Sequence, residues 1–428
     1  MQLLKVLMLS ADWRKLMDKP VAIVLGGTNP HKTLINHLKN RGYYVVLVDY
    51  LPNSPSKSVA DMHVQESALD KEKVLEIAQV CNAALVITTN IDQANVTACY
   101  VAEKLGLPRP YSYETALDVT DKSRMKKIMW DNEIPTSKYI TVKTIEEALV
   151  ANIKYPVVVK PVDSNGSRGI HRCDSDDDLK IYLPVALEAS RTDKAIIESF
   201  VCGEEVSFYY FIQDYVPHYI TSNQRFKFVN GDDSVIQSAG GVYPAPQPET
   251  IYNKMNEIAQ KIAKAFDLKS TPIFIQAIIV QDEEVFVLEF APRIGGGLSF
   301  RLIEEDNKFD IINAAIGSFL NEKDSLDIIQ PNYYSAVMNV YAPNIVMGEV
   351  MGVDKIIEDK KALEFHQYKL KNSDVNSDMS SGSRIGAFFV RGKDYDEIRA
   401  NINSINEYVE VYDIHGVKSM RHDIYPIP

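Results

Sequence analysis

Short unbroken apolar runs alternate with helical periodicity over the first quarter of the chain. Val21-Ala-Ile-Val-Leu25 ends at Gly26-Gly27, and Leu34, Ile35 and Leu38 follow at the spacing of one helix face. A second run, Tyr43 to Val48, ends in Asp49. Ala83 to Thr88 is a third, and the helical stretch Gln93 to Leu105 after it is stopped by Gly106 and Pro108. Strands buried on both faces are continuous in this way, and helices between them make the crossovers of a parallel sheet. The pattern predicts a doubly wound parallel α/β domain over residues 20–115.

The pattern then changes. Asp121-Lys122 opens a helix carrying Met125, Ile128 and Met129, which Pro135 ends. Short strands follow at Ser137 to Val142, Val157 to Lys160 and Ala195 to Phe200, with a helix from Thr144 to Ala151. These predict a small α+β lobe with its connecting helix over 116–205. From Glu205 apolar and polar residues alternate, and a helix at 253–266 shows Met255, Ile258, Ile262 and Ala265 on one face. This predicts a second lobe over 206–330. The tail, 331–428, reads as a further α+β lobe, with a strand at Ile385 to Val390 and a helix at 394–407. Asn372 to Ser383 is a loop of low complexity. Residues 1–19 start apolar, but Lys5, Asp12 and Arg14 make them an amphipathic extension rather than a signal peptide.

Composition narrows the class. The 428 residues carry 46 Lys plus Arg against 58 Asp plus Glu, a net charge of −12, so the field opposes coating nucleic acid. No apolar run reaches the roughly 18 residues of a membrane span. Cys81, Cys99, Cys173 and Cys202 have neither CxxC spacing nor a neighbouring His. The expectation is a cytoplasmic protein that binds neither nucleic acid nor membrane and meets any phosphate locally.

Four segments carry candidate chemistry. Gly26 to Thr33 would be a phosphate-binding GxxxxGK[ST] loop if His31 were glycine; a tight strand-to-helix turn is the competing reading. In Tyr155 to Ile170, a strand delivers Lys160 to a loop containing Ser164, Gly166, Ser167 and Gly169. Such a pattern fits an ordinary hairpin or a loop whose N–H groups close over polyphosphate. In Ile196 to Phe208, a strand leads into a connector with Glu198 and Glu205, either a charged turn or a reader of adenine and ribose.

The fourth segment is the most telling. Pro272 to Val280 and Val285 to Phe290 read as a hairpin around Gln281 to Glu284. A symmetric, bulge-free hairpin pairs 280 with 285 and so sets Gln276 opposite Glu289. An amide facing a carboxylate amid Ile, Val and Phe is costly to bury without a partner. A hard cation would supply one, and Mg²⁺ typically takes one or two carboxylates plus substrate phosphates. Arg293 and Gly295-Gly296-Gly297 follow, a cradle for a carboxylate or phosphoryl group.

In this order the segments resemble the ATP-grasp superfamily over essentially the whole chain. The resemblance implies an ATP-grasp fold behind a pre-grasp α/β domain, with ATP and Mg²⁺ (or Mn²⁺) as cofactors. It casts Lys122 and Lys160 as phosphate contacts and Ser164, Gly166, Ser167 and Gly169 as the phosphate-covering loop. Glu198, Phe200 and Val201 become the adenine hinge, Glu205 the ribose carboxylate, and Gln276 with Glu289 the metal site. Arg293, with Lys160, would be catalytic. The family often has Asn where Ala291 stands, which leaves one oxygen ligand fewer. The triple glycine and the C-terminal lobe are similar to carboxylate-amine ligases, including L-amino-acid ligases, and to the large subunit of carbamoyl-phosphate synthetase.

The implied reaction joins a small carboxylate, such as an amino acid, to an amine through an acyl-phosphate, releasing ADP and phosphate. Arg225, Gly240, Gly241, Gly295 and Gly296 are candidate substrate contacts, although Arg225 and Lys227, two apart on a strand, equally fit its solvated face. Two alternatives stand beside this: a glycinamide or carboxyaminoimidazole ribonucleotide synthetase, and a non-catalytic ATP-binding regulator. Homodimers are common among similar proteins.

Overall fold

The structure is a computed structural model that describes residues 19–151, 153–163, 169–229, 236–323, 325–376 and 383–425. The N-terminal unit follows from its apolar runs. It comprises β1 (Val21–Leu25), α1 (Asn29–Asn40), β2 (Tyr44–Val48), β3 (Met62–Val64), α2 (Lys71–Val80), β4 (Ala83–Ile87) and α3 (Asp92–Leu105). The sheet is parallel, in the order β3-β2-β1-β4. Every residue of β1 and β2 is buried, as continuous apolar strands require. The β1–α1 turn is no phosphate loop. His31 is buried against Thr28 Oγ1 (2.8 Å) and Thr88 Oγ1 (3.0 Å), and burial lowers its pKa to about 3. A Cβ on Gly27 would collide with Ser54 Oγ, so side chains already occupy the concavity.

Next come α4 (Tyr113–Asp118), α5 (Lys122–Asp131), β5 (Tyr139–Val142), α6 (Ile145–Val150), β6 (Val157–Pro161), β7 (His171–Cys173), α7 (Asp176–Glu188) and β8 (Ala195–Ser199). The strands form an antiparallel sheet ordered β5-β8-β6-β7. Asp121 caps α5 by accepting from the Ser123 and Arg124 N–H groups, which fixes where Lys122 begins the helix.

The remainder comprises β9 (Glu204–Gln213), β10 (Val216–Val229), β11 (Ile236–Tyr243), α8 (Glu249–Ala265), β12 (Ser270–Ile279), β13 (Val285–Ala291), α9 (Ser299–Asn307), α10 (Ile311–Leu320) and β14 (Tyr334–Tyr341). After them come β15 (Met347–Met351), α11 (Val353–Glu358), β16 (Glu364–Gln367), β17 (Arg384–Gly392), α12 (Tyr395–Tyr408) and β18 (Glu410–Asp413). Eight of these strands make one sheet, ordered β13-β12-β9-β10-β11-β14-β17-β16. β11 pairs antiparallel with β14, so the sheet runs on across residue 330 into the C-terminal region. β15 and β18 pair with each other apart from it.

The alternation along β9 sorts its two faces. Val206, Phe208, Tyr210 and Ile212 pack under α8 with Met255, Ile258 and Ile262. Tyr209 and Phe211 point the other way, into the core shared with the N-terminal unit. The second face carries the site. Cys81, Cys99 and Cys173 are buried free thiols and Cys202 is exposed. No helix among the described residues is long and apolar enough to cross a membrane.

Candidate active site

Gln276 does pair with Glu289, but not through a bulge-free hairpin. Near the turn Ile279 pairs with Val285, Ile278 with Phe286 and Ala277 with Val287, and Val280 N–H donates to the Glu284 carbonyl at 3.0 Å. The register then shifts by one, leaving Leu288 as the extra residue of a β-bulge before Gln276 meets Glu289. Without that bulge Leu288 would face Gln276, and Glu289 would turn to the opposite side of the sheet.

Around this pair the charges alternate. Lys122 Nζ lies 3.4 Å from Glu289 Oε2. Burial pushes the Glu289 carboxyl pKa up, but Lys122, Lys160 and Arg293 outweigh it and hold the group below its ordinary value. The Gln276 amide orientation that satisfies both ends donates to Glu289 Oε1 at 2.7 Å and accepts from Arg225 Nη1. Arg225 Nη1 also donates to Glu205 Oε1 at 2.7 Å, and Lys227 holds Glu205 Oε2. Arg225 and the exposed Lys227 are thus counter-ions of Glu205, and between them they engage both of its oxygens.

Glu198 lies deeper. Its carboxylate is buried between two lysines, with Oε1 2.5 Å from Lys160 Nζ and Oε2 2.8 Å from Lys126 Nζ. Burial opposes its charge, yet the two ammonium groups bring its pKa down to about 2. It therefore does not present its side chain to an adenine edge. Phe200 N–H donates to the Pro156 carbonyl at 3.0 Å, and the Phe200 ring stacks under Arg172, 4.5 Å from guanidinium to centroid.

Arg293, in the turn after β13, is held by Asp92 in the first turn of α3. Nε donates to Oδ1 at 2.5 Å and Nη2 to Oδ2 at 2.7 Å, while Nη1 donates to the Ile294 carbonyl at 2.8 Å. The guanidinium also lies over Phe274, 4.9 Å from its centroid. The fork is thus locked by an acid from another domain.

These groups border a cavity of about 480 Å³ that runs across the sheet. Lys122, Arg225, Gly240, Gly241, Gln276, Glu289, Arg293, Gly295 and Gly296 are in its wall. Lys160, Gly169, Glu198, Phe200, Val201 and Glu205 lie outside that wall, and Ser164, Gly166 and Ser167 lie outside the described residues. Gly240 and Gly241 are floor: a Cβ on either would strike the Val337 carbonyl or Asn223, so only glycine keeps the strands at this spacing. Sequence reasoning missed Asp92, Lys126, Asn339, Tyr368 and Arg384. Lys126 was discoverable, one helical turn after Lys122 on the same face. Arg384 sits at the far end of the cavity, donates through Nε to Tyr341 Oη at 2.7 Å, and pairs with no carboxylate among the described residues.

No group of three or more His, Cys, Asp or Glu among the described residues could hold a metal. Glu289 with Gln276 is instead the donor set for a hard cation delivered with phosphate oxygens, which supply the remaining ligands. Serving as a ligand would require the Gln276 oxygen to leave Arg225.

Comparison with known proteins bears on these residues. Residues 120–297 match the family described as phosphoribosylglycinamide synthetase, ATP-grasp (A) domain. The formate-dependent phosphoribosylglycinamide formyltransferase of Wolinella succinogenes is 26% identical over 280 residues, covering 63% of this chain and 69% of that protein. The L-arginine-specific L-amino acid ligase of Bacillus subtilis is 25% identical over 256 residues, covering 58% of this chain and 60% of its own length. The crystal structure of an L-amino acid ligase from Bacillus licheniformis superposes with a TM-score of 0.77 at 17% identity, covering 92% of this chain and 99% of that one.

Proposed function

We propose that this chain, whose residues 120–297 match an ATP-grasp domain, is an ATP-dependent carboxylate-amine ligase that forms an amide through an acyl-phosphate. The observation that carries the reading is the cavity itself. Glu289 stands in its wall among Lys122, Arg225 and Arg293, and the other carboxylate lining it, Asp92, is taken up by Arg293.

Bound Mg²⁺ would neutralise phosphate charge as a Lewis acid. Glu289 would hold it, with Gln276 once its amide turns. Lys122 and Lys160 neutralise and orient the triphosphate, and the adenine edge meets the backbone at Val201. A substrate carboxylate oxygen attacks the γ-phosphorus, and ADP leaves as the P–O bond breaks. Arg293, aimed by Asp92, steadies the acyl-phosphate. The amine nitrogen then attacks the acyl carbon, the C–O bond to phosphate breaks, and the departing phosphate takes up the proton that the nitrogen loses. The protein's part is positioning and charge stabilisation rather than covalent chemistry.

At the far end, Arg384 supplies a guanidinium for an anionic group of the acid or amine substrate. Glu205 anchors Arg225 and Lys227, and its role toward a ribose requires those cations to release it. Cytoplasmic location and a homodimer complete the proposal. The decisive test is a matrix of amino-acid pairs assayed for ATP-dependent phosphate release, with mass detection of the product. The match of residues 120–297 to a phosphoribosylglycinamide synthetase domain favours a second reading, in which Arg384 meets a ribose phosphate. Phosphate release with ribonucleotide substrates, and none with amino acids, would select it.

A further inference from the structure

Lys126 is the most buried cation of the site, at 1% exposed, and it does not reach the cavity wall. An ammonium has three N–H donors. Here they meet Glu198 Oε2 at 2.8 Å, Thr136 Oγ1 at 2.5 Å and Ser137 Oγ at 3.1 Å. Thr136 in turn donates to the Val287 carbonyl at 2.8 Å, next to the bulge that aims Glu289. Lys126 is therefore fixed.

Lys160 differs. Among the described residues its ammonium pairs with Glu198 alone. Any turn of Lys160 toward a polyphosphate takes it off Glu198 Oε1, and that carboxylate is only 3% exposed. Leaving a buried carboxylate without its partner is strongly unfavourable. Oε2 remains held by Lys126 and by Ser137 Oγ, the latter at 2.6 Å. The carboxylate can then release one lysine without losing its compensation.

We propose that Lys126 is a positioning residue, a permanent counter-ion that keeps Glu198 neutralised so that Lys160 can be shared with the phosphates of MgATP. The inference rests on the reading of Lys160 as a phosphate contact. It requires the effect of Lys126 on nucleotide binding to pass through the charge of Glu198.

The test is a calorimetric titration of MgATP into the wild-type protein, Lys126→Gln, Glu198→Gln and the double variant. Lys126→Gln should bind MgATP at least tenfold more weakly than wild type, because Lys160 is retained by Glu198. Once Glu198 is neutral Lys126 has no charge left to compensate, so the double variant should bind within threefold of Glu198→Gln. A Lys126→Gln affinity within threefold of wild type, or a double variant more than threefold weaker than Glu198→Gln, overturns the proposal. If Lys126→Gln does not fold, the comparison of Glu198→Gln with the double variant decides alone. A wild-type protein that binds no MgATP sinks the ligase reading and this inference with it, an outcome distinct from wild-type binding with indifferent variants.

Discussion

Asp92 and Arg293 form a two-point ion pair across the junction between the N-terminal α/β unit and the large sheet, at 2.5 and 2.7 Å. Their side chains are only 16% and 11% exposed. Removing the acid leaves a largely buried guanidinium without its partner. Asp92→Ala should cost about 3 kcal/mol in urea unfolding. It should also lower the turnover of ATP-dependent phosphate release at least tenfold while the KM for ATP moves less than threefold. Unchanged turnover would separate Arg293 from the chemistry.

Glu289→Gln keeps the shape and removes the charge that faces Lys122. ADP formation should fall by a factor on the order of 100 or more, as for loss of one preorganised electrostatic contact at a reacting centre. The thermal midpoint should stay within a few degrees. A variant with full activity would refute Glu289 as the metal-holding carboxylate.

Acid stability should report Glu198. Its folded pKa of about 2 lies below the ordinary 4.5, so its contribution is complete above pH 4.5 and is lost as the pH falls toward 2. At about 1.4 kcal/mol per unit the gap corresponds to roughly 3 kcal/mol. Denaturant unfolding of wild type and Glu198→Gln across that interval should converge as the pH drops. Parallel curves would show that the carboxylate is not held down by its lysines.

Arg384→Gln should raise the KM for whichever substrate it anchors by tenfold or more, the scale of a lost charge-assisted hydrogen bond. The KM for ATP should not change. Equal effects on both constants would place Arg384 outside substrate recognition.

Much of the fold could be read from periodicity, because strands buried on both faces and a well-faced α8 leave strong patterns. The pairing of Gln276 with Glu289 was also legible, but by two compensating errors: the turn was placed one residue off and the bulge at Leu288 was not foreseen. A bulge is one unpaired residue, and nothing in Val285 to Phe290 marks it. The Asp92–Arg293 pair spans 201 positions and rests on domain packing that no local pattern encodes. The burial of the Glu198 carboxylate was not foreseen, because its counter-ions come from elsewhere in the chain: Lys160 at the end of β6, and Lys126 beside Met125 and Met129 on the buried face of α5.

The eight-stranded sheet bears on how such a protein can change. Because β14 and β17 continue the sheet that holds Glu289, with Arg384 on the last strand bordering the cavity, the C-terminal region is no exchangeable module. A segment grafted from a relative would have to rebuild the β11–β14 ladder against the cavity floor at Gly240 and Gly241. New specificity would more easily arise by substitution at cavity-facing positions such as Asn339 and Arg384, with the nucleotide end left intact.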